Sequence, residues 1–345
     1  MTARAAYTQI QNKTMGLSRT SLPRLPPAPG FEGDFEYMEQ VRLWKDWVAW
    51  EKDDPLVLKE EDLSAYNKRI VYVYKQAIQA LRFWPEIWCE AADFCFENDL
   101  EKDGTEFLTQ AALANPESCL IAFKRADRIE LTTTNLEGAD APVRRGKEVR
   151  DVYEKVFDAL YDLINKTVER EKQALARAQE AFDQQNLDAL EESDKEDDED
   201  DEDDDNNTST SRKKSREAAL HSQLDAIKAG SQIQIKLLSR TVSTAWVALM
   251  RAMRRIQGKG KLGDAVGGSR QVFADARKRG RLTSDAYIAA AMMEYHCYKD
   301  PAGVKIFDRG LKLFPEDDVF ALAYLKHLIA VNDITSKSFS VTCSD

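Results

Sequence analysis

The chain has 345 residues, of which 43% are hydrophobic, enough for two ordinary domains or one elongated array. Its net charge of −11 is local: residues 191–205, EESDKEDDEDDEDDD, hold thirteen acids and one Lys, a net of −12, so the remainder is near +1 and a uniformly acidic protein is excluded. The chain lacks an apolar run of the roughly 18 residues that a membrane helix needs and an N-terminal secretory segment, so no membrane partner is expected.

In chain order, residues 1–22 are weakly patterned and read as the end of an upstream element. LPRLPPAPG (22–30) follows, a stiff linker in which each Pro removes an amide donor. Residues 1–30 form the first segment. Residues 31–184 form a first repeat block. There Trp44, Trp47, Trp50 and Glu51 stand at offsets 0, +3, +6 and +7, one face of a helix. A second helix, RIVYVYKQAIQALRF, ends at Trp84–Pro85. Trp88, Ala91, Ala92 and Phe94 repeat the first helix, and EFLTQAALANP repeats the second. Phe123, Ala126, Ile129 and Glu130 open a third pair, and after the polar loop TTTNLEGADAP its partner is Val149–Phe157. The helix from Val149 runs on through EREKQALARAQEAF, charged nearly all round and overlong for a repeat helix.

Residues 185–216 are expected to be a disordered acidic insert, with too little apolar surface to offset the ordering entropy. Ser193 inside it is a plausible target for acid-directed kinases, and SRKKSR (211–216) is a weak import signal. Residues 217–332 form a second block. Trp246, Leu249, Ala252 and Met253 open one pair, with SRQVFADAR as its mate. Tyr287, Ala290, Met293 and Glu294 open the next. Its second helix is Val304 to Leu311 with Gly310 on the packed face, stopped by Pro315. Phe320, Ala323 and Tyr324 begin another first helix. Starts at Trp44, Trp88 and Phe123 lie 44 and 35 residues apart, and starts at Trp246, Tyr287 and Phe320 lie 41 and 33 apart. Those intervals predict an all-α solenoid of helical pairs. The expected repeat core is Trp44, Trp47, Glu51, Trp88, Ala91, Trp246, Tyr287, Ala290, Glu294, Gly310 and Pro315.

Between Arg251 and Arg281 there are ten Lys or Arg against two Asp. Arg251, Arg254, Arg255, Lys259, Lys261, Arg277, Lys278, Arg279 and Arg281 form a candidate patch for RNA phosphates or an acidic partner, with a solvated face as the alternative. Only Phe273 is interleaved, and the repeat pattern places it in the core, so no base-stacking platform is expected. Five Cys (89, 95, 119, 297 and 343) form no CxxC pair and read as reduced, structural residues. His221, His296 and His327 have no patterned partner, and GxxxxGK[ST], HExxH and GxSxG are missing. No catalytic residue, metal or cofactor is expected.

The pairs resemble HAT (half-a-TPR) repeats, whose first helix reads W-x2-[YA]-x3-E and whose second reads [AG]-R-x-[IV]-[FY]-x-R-[AG]-[LI] before a Pro. Here Trp44/Trp47/Glu51, Tyr287/Ala290/Glu294, Val149–Phe157 and Gly303–Pro315 carry that pattern. LPRLPPAPGFEGDFEYMEQVRLWKDWVAWEKDDPL and YVYKQAIQALRFWPEIW are similar to the suppressor-of-forked family, the large HAT subunit of cleavage stimulation factor and its fungal counterpart in cleavage factor IA, over roughly residues 1–332. The resemblance implies a nuclear scaffold, with shuttling to the cytoplasm left open, that catalyses nothing and serves pre-mRNA 3′-end cleavage and polyadenylation. It implies other processing subunits as partners, a homodimer through the later repeats, and RNA contact that is indirect or weak. A HAT scaffold of a spliceosomal or ribosome-biogenesis complex is the alternative. The chain begins within the second helix of an earlier repeat, and residues 333–345 depart from the family, so a fragment is expected.

Overall fold

The computed structural model describes residues 3–24, 33–133, 138, 140–193, 205–263 and 267–331, and every regular element among them is an α-helix. In order these are α1 (Ala3–Thr14), α2 (Asp34–Lys52), α3 (Leu58–Glu61), α4 (Leu63–Ala80), α5 (Pro85–Glu97), α6 (Glu101–Ala114) and α7 (Cys119–Thr132). Then come α8 (Ala141–Ser193), α9 (Asp205–Gln257), α10 (Ser269–Arg279), α11 (Ser284–Tyr298), α12 (Ala302–Leu313) and α13 (Asp318–Ala330). The chain divides into two compact units, one of residues 1–157 with 251–269 and one of residues 158–250 with 270–345.

In the first unit α2 packs on α4, α4 on α5, α5 on α6 and α6 on α7, and α5 also touches α7. The second unit repeats this: α11 packs on α12, α12 on α13, and α11 on α13. First helix against second, and first against the next first, is the contact pattern of stacked helical pairs. Local chemistry sets the boundaries. The Asp62 carboxylate accepts the Ala65 amide at 3.0 Å to start α4, and Asp317 accepts the Phe320 amide at 2.9 Å to start α13. Pro85 occupies the first turn of α5, where its missing N–H costs nothing. Tyr66, Ile70, Val73, Tyr74, Ala77 and Ile78 then line the buried face of α4 at helical spacing.

The segment after α1 is anchored to these helices. Gly16, at φ +82°, turns the chain, and its carbonyl accepts the Gln40 amide at 2.9 Å. The Leu22 amide donates to the Ala80 carbonyl at 2.8 Å. Arg24 donates to the Ala114 carbonyl at 2.7 Å, pairs with Glu117 and lies 4.5 Å over the Phe83 ring. Leu22 to Arg24, the start of the expected linker, is thus tied to the array, and residues 25–30 lie outside the described residues.

The two long helices run 53 residues each. α8 begins at Ala141, eight residues ahead of the expected Val149, and buries Val149, Tyr153, Phe157, Leu160 and Ile164. α9 ends at Gln257 and buries Val242, Ala245, Trp246, Leu249, Met250 and Met253. Of residues 185–216, expected as a disordered insert, 185–193 continue α8, 205–216 open α9, and 194–204 lie outside the described residues, as do 134–137 of the polar loop and the tail from 332.

Candidate interaction surfaces

An acid on the buried face of a helix needs a cation or donors. The repeat places one residue seven positions after each first-helix anchor. In α2 this is Glu51, 5% exposed, which accepts both Arg69 Nε and Nη2 at 3.0 Å and Trp47 Nε1 at 3.3 Å. In α7 it is Glu130, gripped by Arg255 through Nε at 2.8 Å and Nη2 at 2.6 Å. In α11 it is Glu294, also 5% exposed, gripped by Arg270 at 2.7 and 2.9 Å, while the same guanidinium reaches Asp300 at 2.8 Å. Hydrogen bonds to Glu130 and Glu294 hold the Arg255 and Arg270 guanidinium groups above arginine's ordinary range. The same position is Cys95 in α5, Met253 in α9 and His327 in α13, all buried. Sequence reading found the glutamates and missed their arginines. A Glu recurring inside an apolar stripe was the available signal that a cation had to face it.

The other expected core residues are placed as follows. Trp44, Trp47, Trp88, Ala91, Trp246, Tyr287 and Ala290 are buried, and Pro315 is exposed just past α12. Trp44 and Trp47 stack at 5.5 Å between centroids, and Trp88 Nε1 donates to the Arg82 carbonyl at 2.9 Å. Gly303 and Gly310 are the contact points of α12. A Cβ at Gly303 would lie 2.9 Å from the Ala291 carbonyl oxygen, and one at Gly310 would lie 2.2 Å from the Phe320 ring.

The basic stretch is divided. Arg251, Arg254, Arg255, Lys259 and Lys261 belong to the first unit, and Arg277, Lys278, Arg279 and Arg281 to the second. Part of it has internal work. Arg255 is committed to Glu130, Arg277 lies 5.1 Å over Phe273, and Arg279 pairs with Asp158 while lying 4.5 Å over Tyr161. Tyr161 in turn donates to the Gly280 carbonyl at 2.7 Å and accepts Trp246 Nε1 at 3.3 Å. Lys259 and Lys261 ride a loop whose base is closed by glycines: a Cβ at Gly260 would fall 2.2 Å from the Gly268 amide nitrogen. Arg251, Lys278 and Arg281 are exposed and Arg254 half-buried.

Burial pushes the thiols of Cys89, Cys95 and Cys119 up to about 11, which keeps them protonated and unreactive at neutral pH. Among the described residues no group of His, Cys, Asp and Glu is arranged to hold a metal, and no helix is long and apolar enough to cross a membrane.

Stacked helical pairs with a clamped acid at a fixed offset define a HAT-type helical-repeat protein. The family model for suppressor of forked protein (Suf) matches residues 1–338, and the chain belongs to that family. It is 60% identical over 97% of its length to the mRNA 3′-end-processing protein rna14 of Emericella nidulans, covering 30% of that protein. The rna14 proteins of Aspergillus fumigatus and Aspergillus oryzae are 60% and 59% identical over the same share of this chain, which covers 31% and 30% of them. The chain therefore spans about 30% of the length of these curated relatives.

Proposed function

We propose that the chain is a scaffold segment, without enzymatic activity, of the nuclear machinery that cleaves and polyadenylates pre-mRNA, holding other processing subunits on its repeat surfaces. The observation that carries this reading is the 60% identity, over 97% of the chain, to a protein named for mRNA 3′-end processing. Affinity purification of the chain from nuclear extract, followed by mass spectrometry, tests it. Recovery of cleavage and polyadenylation subunits is expected, and recovery of splicing or ribosome-assembly factors instead would overturn it.

Two finer points belong to the same reading. The later repeats, α11 to α13, are proposed to hold two copies together, and light scattering tests this: a particle of twice the 39.2 kDa chain mass is expected, and a single-chain mass would remove the homodimer. RNA contact is proposed to be indirect or weak, because Arg255, Arg277 and Arg279 are already engaged within the chain. Tight RNA binding that weakens steeply with salt would contradict that.

A further inference from the structure

The first unit carries an open groove of about 560 Å³ beside α4, bounded on its other side by the start of α6. That volume falls in the range of roughly 300–1,000 Å³ that ligand sites occupy. Two adjacent ridges of α4 form its wall: Leu63, Asn67 and Val71 at four-residue spacing, then Lys68, Tyr72 and Lys75 beside them. Leu100 closes the far side.

Three features of this groove are unexplained by the repeat core. Tyr72 and Leu63 leave 58% and 51% of their surface exposed, although Val71 and Val73 on either side of Tyr72 are buried. Asn67 is 7% exposed, and its side-chain carbonyl oxygen has no hydrogen-bond partner, a costly state for a buried amide. Lys68 is exposed and makes no ion pair among the described residues, and Lys75 reaches Asp103 only at 3.8 Å. An apolar platform, an unmet demand for an N–H donor and an uncompensated ammonium belong together in one ligand. A peptide supplies the N–H, an apolar side chain supplies the partner for Tyr72, and an acidic neighbour supplies the carboxylate.

We propose that the α4–α6 groove docks a short acidic-and-apolar segment of a partner protein. One apolar residue lies on Tyr72 and Leu63, a backbone N–H meets Asn67, and an Asp or Glu meets Lys68. This rests on the scaffold reading and names the chemistry of one of its partners.

Fluorescence anisotropy on the whole chain tests it. The probe is a fluorescein-labelled dodecapeptide that alternates Leu with Asp or Glu. Saturable binding is expected, weakened about tenfold or more by Tyr72→Ala and by Lys68→Glu, each a loss in the range of an anchoring contact. Both side chains are exposed, so thermal melts of the variants should match the unsubstituted chain. A control peptide with Lys in place of its acids is expected to bind at least tenfold more weakly. No binding, equal binding of the Lys peptide, or unchanged binding by both variants would overturn the proposal, as would competition by a short oligo(U), which would give the groove to RNA. A chain that recovers processing subunits but ignores the peptide removes the groove alone. One that binds the peptide but recovers none removes the scaffold reading and leaves the groove.

Discussion

In the first unit Glu51 takes its cation from α4, the second helix of its own pair, and keeps Trp47 as a further donor. In the second unit Glu294 takes Arg270 from α10, the helix before its pair, and shares that guanidinium with a second acid, Asp300. One sequence position therefore has the same burial and different dependence. The first clamp is held within a pair, and the second ties a pair to the one before it. What repeats is the need to neutralise a buried carboxylate, and the donor is whichever helix lies opposite.

The largest effects should come from the anchors, where the units are expected to behave alike. Trp88→Ala and Tyr287→Ala each remove a buried ring, and Tyr287 packs edge-on against both Phe273 and Phe314 at 5.4 and 5.5 Å. Each should cost about 3–5 kcal/mol in chemical denaturation. A loss below about 1 kcal/mol at either site would break the equivalence of the two units.

The clamps should sharpen the difference. Arg270→Met removes the guanidinium that Glu294 and Asp300 share, whereas after Arg69→Met Glu51 still holds the Trp47 donor. Both arginines are about a third exposed, at 31% and 34%, so water tempers each loss. We expect about 2–4 kcal/mol for Arg270→Met and about 1–2 kcal/mol for Arg69→Met by urea denaturation. Replacing Glu294 together with Arg270 by Met should return much of the loss, because the more deeply buried of the two carboxylates is then removed with its cation. Equal costs at the two arginines would show that Asp300 and Trp47 do not matter.

Glycines give a smaller contrast. A Cβ at Gly104 meets the Phe96 ring at 2.5 Å, and one at Gly310 meets the Phe320 ring at 2.2 Å. Phe96 is half-buried with Arg128 over its face, and it can swing outward. Phe320 is fully buried against Phe307 and Phe314 and cannot. Alanine gains roughly 1 kcal/mol of helix propensity over glycine. Gly104→Ala should therefore be near neutral, and Gly310→Ala should cost about 1–2 kcal/mol net of overpacking. Thermal melts of the two variants check this.

The helical pairs were legible because burying one face leaves a period that survives in one dimension: Trp44, Trp88, Tyr287 and Phe320 announce their helices through spacing alone. The ties that cross between elements were not. Arg24 reaches Ala114 across 90 residues and Arg255 reaches Glu130 across 125, and sequence order carries no trace of either approach. The nine basic residues read as one patch because they are close in sequence. The chain assigns them to two units and engages Arg255, Arg277 and Arg279 among others internally. Local pattern reveals which face is buried, and only the fold reveals what it is buried against.

The smallest effect tests a clamp position where a histidine stands in place of the acid. His327 occupies it in α13, 3% exposed, ringed by Phe307 at 5.0 Å and Tyr295 at 4.9 Å, with Nδ1 lacking a partner. Burial, then the nearby His296, lowers its pKa below the ordinary 6.5. The unfolded chain thus takes up this proton at a higher pH than the folded one. Stability tied to neutral His327 is complete above about pH 6.5, falls as the pH drops toward the lowered folded value, and levels off below it. Between about pH 7.5 and 5.5 the native chain should lose ~2 °C more in Tm than His327→Met, which has no proton to gain there. Parallel losses in both would mean that the ring is already solvated when protonated. The contrast with Glu51 and Glu294 would then lie in charge alone, not in how tightly this position is closed.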